Sequence, residues 1–177
     1  MLSWYSVCTF CGSGQIVWKA TNCFACQDCN KDNYINRSCA VGCYFYNDQK
    51  QILIVQRARD PWKWKYQDPG GFMDIEDMSA EAAVAREIQE ELNIYVDITT
   101  LRYISSGSRF YPYQWRDMPV VCLQFYAYIS PQQISELQVS DDVSWFLRIE
   151  KNTFDPTMMS LSYHATVIEK VFDMIVS

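Results

Sequence analysis

The chain has 177 residues, 49% of them hydrophobic, which suits one domain of ordinary size or one domain with a small appendage. Its net charge is −6 and no basic stripe is visible, so a nucleic acid is an unlikely partner on this composition. No apolar run approaches the roughly 18 residues of a membrane span, and the first residues lack the basic start of a signal peptide. We therefore expect a soluble, cytoplasmic protein without a membrane partner.

Five of the eight cysteines form two short clusters near the start of the chain. Cys8 and Cys11 make one C-x2-C pair, and Cys23, Cys26 and Cys29 repeat the same spacing. In a cytoplasmic chain, paired C-x2-C motifs predict zinc ligands rather than disulfides. The second pair of ligands in a tetrahedral site is either Cys23 with Cys26 or Cys26 with Cys29.

We favour the last two, because the residue after each pair should tolerate a positive φ, and Gly12 and Asn30 do so whereas Gln27 does not. A segment of about 30 residues buries too little apolar area to fold alone, and structural zinc contributes on the order of 10 kcal/mol. The sequence thus predicts a zinc ribbon over residues 1–37, ahead of a main domain over residues 38–177. The predicted zinc ligands are Cys8, Cys11, Cys26 and Cys29.

The main domain begins with two predicted strands. The apolar run at residues 39–46 is typical of a strand buried on both faces, and residues 51–57 form the second strand of a hairpin. We interpret Cys39 and Cys43 as small core residues rather than ligands. A long loop with proline near both ends, residues 59–71, leads to the next element.

That element is a helix from Ser79 to about Leu92. Good helix formers follow Ser79, which is a suitable N-cap, and Asn93 tolerates the left-handed conformation of a C-terminal cap. Carboxylates on one helix face repel one another and suit Mg2+ or Mn2+, although a solvated acidic face is the general alternative. The face in question carries Glu87, Glu90 and Glu91.

After the helix we expect short strands at residues 95–98 and 101–106, followed by a loop at residues 107–119. The loop combines rings that could stack on a base with guanidinium groups for phosphate oxygens, or it is an ordinary packed loop. Its candidate substrate contacts are Arg109, Tyr111, Tyr113 and Trp115.

The rest of the chain is predicted to form a long strand at residues 120–129, a turn at 130–135, a short strand at 144–147 and an amphipathic helix at 157–175. The single histidine, His164, lies on this helix, and we interpret it as structural because no nucleophile with a triad-like setting accompanies it.

The glycine loop and acidic helix together resemble the Nudix hydrolase signature, G-x5-E-x7-R-E-U-x-E-E-x-G-U, where U is a bulky aliphatic residue. Pro69-Gly70-Gly71 looks like the opening of the signature, and Arg86-Glu87-Ile88-Gln89-Glu90-Glu91 matches its densest part. Asn93 replaces the final glycine, which its tolerance of the left-handed conformation permits.

The first glutamate of the signature is missing. Counting back from Arg86 places it at Met78, whereas counting forward from Gly71 places it at Asp77. The loop is therefore one residue longer than the signature, with Glu76 and Asp77 as imperfect substitutes.

With the ribbon included, the chain is similar to zinc-ribbon Nudix proteins, the branch that includes ADP-ribose and NADH diphosphatases. The resemblance implies an α+β fold, in which a Nudix α/β/α sandwich with a mixed sheet follows the ribbon. It also implies a hydrolase that cleaves a nucleoside diphosphate derivative. The NADH-diphosphatase segment after the box has no counterpart here, and Pro112 loosely matches a proline of ADP-ribose enzymes, so ADP-ribose or a related ADP-sugar is the first choice.

The same resemblance assigns roles to individual residues. The three glutamates would hold Mg2+ or Mn2+ with a backbone carbonyl from Gly71, and Arg86 would orient the carboxylates. The general base would be Glu76, Asp77 or one of the box glutamates. The alternative is a binding module of little or no activity that contacts a protein partner through the ribbon, and a homodimer also stays open.

Overall fold

The computed structural model describes residues 5–114, 116–140 and 142–176, without the side chain of residue 176. The chain divides into two compact units on either side of the bond between Arg37 and Ser38. Within the described residues, none of the helices has both the length and the apolar character needed to cross a membrane.

The first unit is a three-stranded antiparallel sheet. Its strands, in spatial order, are β1 (Ile16–Ala20), β2 (Cys23–Cys26) and β3 (Asp32–Tyr34). The largest fully buried side chain of this unit is Phe24, whose ring lies 5.2 Å from that of Trp18. So small a core does not hold a domain of this size together by itself, which fits the need for a metal.

The second unit is built on a mixed sheet flanked by helices, and the predicted α+β fold is confirmed. Neighbouring strands follow the order β6-β5-β4-β8-β7, and β9 pairs with β5. The β4–β8 pair is parallel and the other pairs are antiparallel. The strands are β4 (Ser38–Tyr46), β5 (Ile52–Arg57), β6 (Tyr66–Gln67), β7 (Arg102–Tyr113), β8 (Arg116–Tyr128) and β9 (Val143–Ile149); the helices are α1 (Ala80–Leu92), α2 (Pro131–Glu136) and α3 (Ser162–Val176).

Two helices cover opposite faces of this sheet. Because side chains alternate along a strand, β4 contributes Val41 and Cys43 to the apolar cluster of α1 and Tyr44 to the cluster of α3. Each fully buried aliphatic side chain, such as Ile88 of α1 or Ile168 of α3, stabilises the fold by about 1.5–3 kcal/mol. Cys43 is therefore a core residue, as predicted.

The predicted loop at residues 107–119 was wrong, because most of it belongs to the β7–β8 hairpin. Both prolines are compatible with strands at these positions. Pro112 lies on β7, which is the edge of the sheet, and Pro119 precedes the first β8 residue that pairs with β4, Val120. The hairpin therefore carries Arg109 and Tyr111 on a strand rather than on a loop.

Two predictions near the end of the chain also need correction. Residues 130–135 form the start of α2 rather than a plain turn, with a capping box made by Ser130 and Gln133. The last helix begins at Ser162 rather than near 157, because the preceding segment pairs with β6 through Met159.

The segment from Pro69 to Met73 fills a split in the sheet. Strands β4 and β5 pair over only two registers, and beyond them the segment runs beside β4 in place of β5. The amide of Val41 donates to the Gly71 carbonyl at 2.8 Å, and the amide of Cys43 donates to the Pro69 carbonyl at 3.1 Å. Helix α1 follows this segment, and Glu91 near its end accepts a hydrogen bond from the Gly70 amide at 2.8 Å.

We expect Gly70→Ala to lower the free energy of unfolding by about 1–3 kcal/mol. Gly70 has φ of +140°, and an added Cβ would lie 2.3 Å from the Val41 carbonyl oxygen. The control is Gly14→Ala, whose Cβ would meet nothing closer than 3.7 Å. Thermal unfolding measures both variants, and equal midpoints would contradict the close packing of the loop on β4.

Candidate active site

A cavity of about 290 Å3 lies in the second unit, where the split in the sheet meets the start of α3. Its wall is acidic on the α1 side and basic on the side of β5 and β7. The acidic side chains include Glu87, Glu90 and Glu91, and the basic ones are Arg57 and Arg109. The three predicted carboxylates and two of the predicted substrate contacts, Arg109 and Tyr111, thus face the same space.

Helix α1 has the ends that the sequence predicted. The Ser79 hydroxyl accepts a hydrogen bond from the Ala82 amide at 3.1 Å, and Asn93 adopts the left-handed conformation with φ of 55°. Its apolar stripe is buried in the α1 cluster. These ends and this stripe fix the rotation of the helix, so the glutamates are directed at the cavity.

Arg86 connects the parts of the acidic side. Its guanidinium donates to both carboxylate oxygens of Asp77, at 3.2 and 2.9 Å, and to the carbonyl of Phe72 at 2.9 Å. The remaining nitrogen donates to Glu87 at 3.0 Å and to Glu90 at 3.1 Å. The hydrogen bonds from Arg86 lower the pKa of Asp77. A planar fork of donors is required for this arrangement, and lysine could not replace it.

This geometry decides between the two positions that the lengthened loop leaves for the missing glutamate. Asp77 pairs with Arg86, whereas the side chain of Met78 is 93% exposed. The extra loop residue is therefore accommodated after position 77, between Asp77 and Arg86. Glu76 is exposed and does not belong to the cavity wall, so the geometry gives the least support to its role as a base.

We expect Asp77→Ala to lower kcat/KM for diphosphate hydrolysis by about 10–100-fold, the usual loss when a residue supporting a metal ligand is removed. Without Asp77, Arg86 is free to leave Glu87 and Glu90. Met78→Ala, the neighbouring control, should change kcat/KM by less than about twofold, since a surface substitution of this kind costs little. Equal losses in both variants would contradict the assignment of Asp77.

Glu91 and Glu87 are carboxylates in poorly hydrated positions. Glu91 is 3% exposed, and its one hydrogen bond among the described residues comes from the Gly70 amide at 2.8 Å. Burial raises the pKa of Glu91 well above the usual range, and burial also raises the pKa of Glu87 despite the ion pair with Arg86. Buried carboxylates of this kind are normally compensated by a cation.

The donor set on this side fits a hard divalent cation. All donors are oxygens, and a Cβ at Gly71 would lie 2.6 Å from a Glu87 carboxylate oxygen, so glycine leaves the approach open. The Gly71 carbonyl accepts from Val41 and keeps a second lone pair. In the described part of the chain, however, the three glutamates do not converge at ligand spacing, because Arg86 lies against two of them.

The predicted substrate contacts are distributed unevenly. Arg109 and Tyr111 belong to the cavity wall, with the Tyr111 hydroxyl 3.3 Å from the Arg57 guanidinium. Tyr113 is exposed and lies outside the wall. Trp115 falls outside the described residues. Arg57, which lines the same wall, was not among the predicted contacts, and its position at the end of an aliphatic strand was the available signal.

A second polar group, which the sequence analysis missed, lies at the floor of the cavity. His164 Nδ1 is 2.5 Å from an oxygen of Asp68, and the Tyr44 hydroxyl donates to the same oxygen at 3.2 Å. Burial alone would raise the pKa of Asp68, but His164 and Arg109 outweigh it and the pKa is lowered. Asp68 is thus ionised and holds the histidine ring. His164 also borders the cavity, while its buried hydrogen bonds are those of a structural histidine.

The four predicted zinc ligands in the first unit come together. Their sulfur atoms lie within 4.8 Å of one another, with Cys8 and Cys29 at 3.7 Å and Cys11 and Cys26 at 3.6 Å. A tetrahedral site with Zn–S bonds of about 2.3 Å places its sulfur atoms roughly 3.8 Å apart. The residues after the two pairs, Gly12 and Asn30, have positive φ as predicted.

Cys23 is not part of this cluster, although it lies in the same strand as Cys26, and it pairs with Tyr34. The alternative second pair is therefore wrong. The Cys8 sulfur accepts hydrogen bonds from the Phe10 amide and the Asn33 side chain. Burial would raise the pKa of Cys8, but these bonds and others lower it to about 6, whereas the pKa values of Cys11 and Cys29 in the same cluster are raised.

Comparison with known proteins gives the family. The model of the NUDIX domain matches residues 37–160. The chain belongs to the Nudix family. No curated protein sequence matches this Nudix chain.

Solved structures agree on the fold. The Nudix chain is similar to a MutT/nudix family protein from Enterococcus faecalis, with 26% identity and a TM-score of 0.55 over 66% of this chain and 44% of that one. It is also similar to the NUDIX domain of Shewanella oneidensis NrtR, complexed with ADP ribose, with 22% identity and a TM-score of 0.63 over 80% and 90% of the two chains.

A third similar structure is a bifunctional NMN adenylyltransferase/ADP ribose pyrophosphatase from Francisella tularensis, complexed with AMP and a Mn ion. The identity is 20% and the TM-score 0.60, over 78% of this chain and 42% of that one. The Nudix chain thus spans less than half of two of these three relatives.

Proposed function

We propose that this Nudix protein is a divalent-metal-dependent hydrolase of a nucleoside diphosphate derivative, with ADP-ribose or a related ADP-sugar as the preferred substrate. The observation that carries the proposal is the cavity itself, in which the carboxylates of α1 face two arginines across one space. Such a site accommodates a diphosphate only if cations balance the carboxylates, and Mg2+ or Mn2+ would do so.

Glu87, Glu90 and Glu91 would hold the metal, with the Gly71 carbonyl as a further donor. Bound metal would neutralise phosphate oxygens and lower the pKa of a water nucleophile. Arg86, which lies against Glu87 and Glu90, would orient these carboxylates as they turn toward the metal. Arg57 would contact the phosphate oxygens from the opposite wall, and Arg109 would contact another part of the substrate.

The choice of ADP-ribose rests on relatives rather than on this cavity alone. One similar structure binds ADP ribose, and another is named an ADP ribose pyrophosphatase and contains AMP and a Mn ion. Both are below 25% identity, so they support the proposal only through a shared fold. The ring of Tyr111, which contacts Phe72 and Trp62 edge to face, would pack against a sugar or base.

The test is product release from a panel of ADP-ribose, ADP-glucose, NADH and nucleoside triphosphates, with Mg2+ or Mn2+ and with EDTA. We expect AMP from ADP-ribose in the presence of metal and none with EDTA. Calorimetry with the same panel distinguishes the enzyme from the alternative, a binding module. Tight binding without AMP release would favour the binding module.

We also propose that the four-cysteine cluster binds a structural zinc ion. The protein would be cytoplasmic, and the ribbon would contact a protein partner. The cluster has four sulfur donors at tetrahedral spacing, which is the donor set zinc prefers. Gel filtration of the purified protein with light scattering would show whether a homodimer forms.

A further inference from the structure

The floor of the cavity contains a polar side chain for which the protein supplies no partner. Gln124 of β8 is 1% exposed and belongs to the cavity wall. Its Oε1 atom is buried and makes no hydrogen bond to any described residue. A buried amide without a partner is destabilising and is rare in native proteins. A ligand that fills the cavity could supply the missing partner.

Two neighbouring groups define the chemistry of this floor. Asp68 Oδ2 occupies the space where any side chain at position 42 would place its Cβ, 1.6 Å from that point, and Gln124 Oε1 is 3.3 Å from the same point. A glycine at position 42 is what brings these two acceptors together. The Asp68 carboxylate is held by His164 and Tyr44, so it cannot turn away from the glutamine.

A donor lies in the same wall. Arg109 Nε is buried without a partner, while its Nη1 atom is 3.4 Å from His164 Nε2. The floor therefore combines an acceptor-rich corner at Asp68 and Gln124 with a nearby cationic N–H. The ligand group that would match this floor is an amino group beside a ring nitrogen that accepts a hydrogen bond. Adenine has such an edge, and glutamine side chains bind it through their amide.

We propose that Gln124, supported by Asp68 and Arg109, is the specificity-determining residue that recognises the amino group of an adenine base. The proposal deepens the function proposed above, which supplies an adenine-containing substrate. A base with a carbonyl at the same position, such as hypoxanthine, would place an oxygen against the two acceptors. The floor would reject it for that reason.

The experiment compares kcat/KM for ADP-ribose and for IDP-ribose, in which hypoxanthine replaces adenine. The wild-type protein should prefer ADP-ribose by roughly 5- to 150-fold, the range of one bidentate base contact. In Gln124→Leu the preference should fall to within about twofold of unity, because an apolar side chain contributes no such contact. The control Gln132→Leu, at an exposed position of α2, should keep the wild-type ratio.

A merely structural role for Gln124 predicts a different result. Both rates would fall together in Gln124→Leu and the ratio would stay at its wild-type value, which would overturn the proposal. If that variant does not fold, Gln124→Met keeps the volume and removes the amide, and the same ratio is measured.

Binding measurements separate this proposal from the proposed function. Calorimetry of AMP and IMP with the wild-type protein requires no turnover. At least fivefold tighter binding of AMP would support recognition of the amino group even if ADP-ribose is not hydrolysed. Equal affinities for AMP and IMP would overturn it, whatever the protein hydrolyses.

Discussion

Glu90→Gln is expected to reduce metal-dependent diphosphate hydrolysis by at least about a hundredfold, since even residues that only support a metal ligand cost 10–100-fold when replaced. Its carboxylate faces the cavity and is 49% exposed, and its ion pair with Arg86 spans one helical turn. Such an exposed pair contributes less than about 0.5 kcal/mol to stability. The variant should therefore unfold at the wild-type temperature, although its kcat/KM is strongly reduced.

The matched control is Glu81→Gln, which makes the same chemical change on the same helix but outside the cavity wall. It should retain wild-type turnover. Full activity of Glu90→Gln over a range of Mg2+ concentrations would remove this glutamate from the mechanism, and titration of Mn2+ by calorimetry would show whether metal binding was lost as well.

Cys11→Ser is expected to unfold the first unit. Structural zinc contributes roughly 10–16 kcal/mol of apparent free energy in small zinc domains, far more than the core around Phe24 can replace. We expect the variant to bind no zinc and to become sensitive to proteolysis within residues 5–37. The second unit should resist proteolysis, because its apolar clusters consist of its own residues.

Cys23→Ser provides the contrast, since Cys23 is in the same unit but outside the sulfur cluster. It should keep one zinc ion per chain, measured by elemental analysis. One zinc in Cys11→Ser, or none in Cys23→Ser, would show that the cluster is not the zinc site.

The sequence correctly predicted two features whose conformation depends on residues close by in the chain, the ends of α1 and the four-cysteine cluster. The ends of α1 follow from Ser79 and Asn93, and the zinc cluster follows from the spacing of its cysteines and from Gly12 and Asn30. In each case the backbone conformation is determined by side chains within a few residues. A sequence shows such determinants directly.

The extension of β7 and β8 through residues 107–119 was not predicted, although strands at residues 101–106 and 120–129 were. Glycine, serine and proline in this segment favour a loop locally, yet it pairs across the hairpin, from Gly107↔Cys122 to Tyr113↔Arg116. Tertiary context decides strand formation in such segments more than intrinsic propensity does.

The cavity floor was missed for a related reason. Asp68 precedes the glycine loop, Gln124 lies in the middle of a strand and His164 begins the last helix, so no spacing in the sequence connects them. Only the packing of α3 on the sheet brings them together. Asp77 was the intermediate case, since counting gave two candidates and the ion pair with Arg86 decided between them.

The pairing of the glycine loop with β4 also bears on how fast a nucleotide can associate. The amides of Val41, Cys43 and Met73 are all held in this pairing, at 2.8, 3.1 and 3.0 Å from their acceptors. Hydrogen exchange at these amides should be as slow as in the interior of the sheet, with or without nucleotide. A loop that needs no ordering imposes no kinetic delay on association. The protein has a net charge of −6 and the nucleotide is an anion, so the association rate constant should rise as ionic strength screens their repulsion.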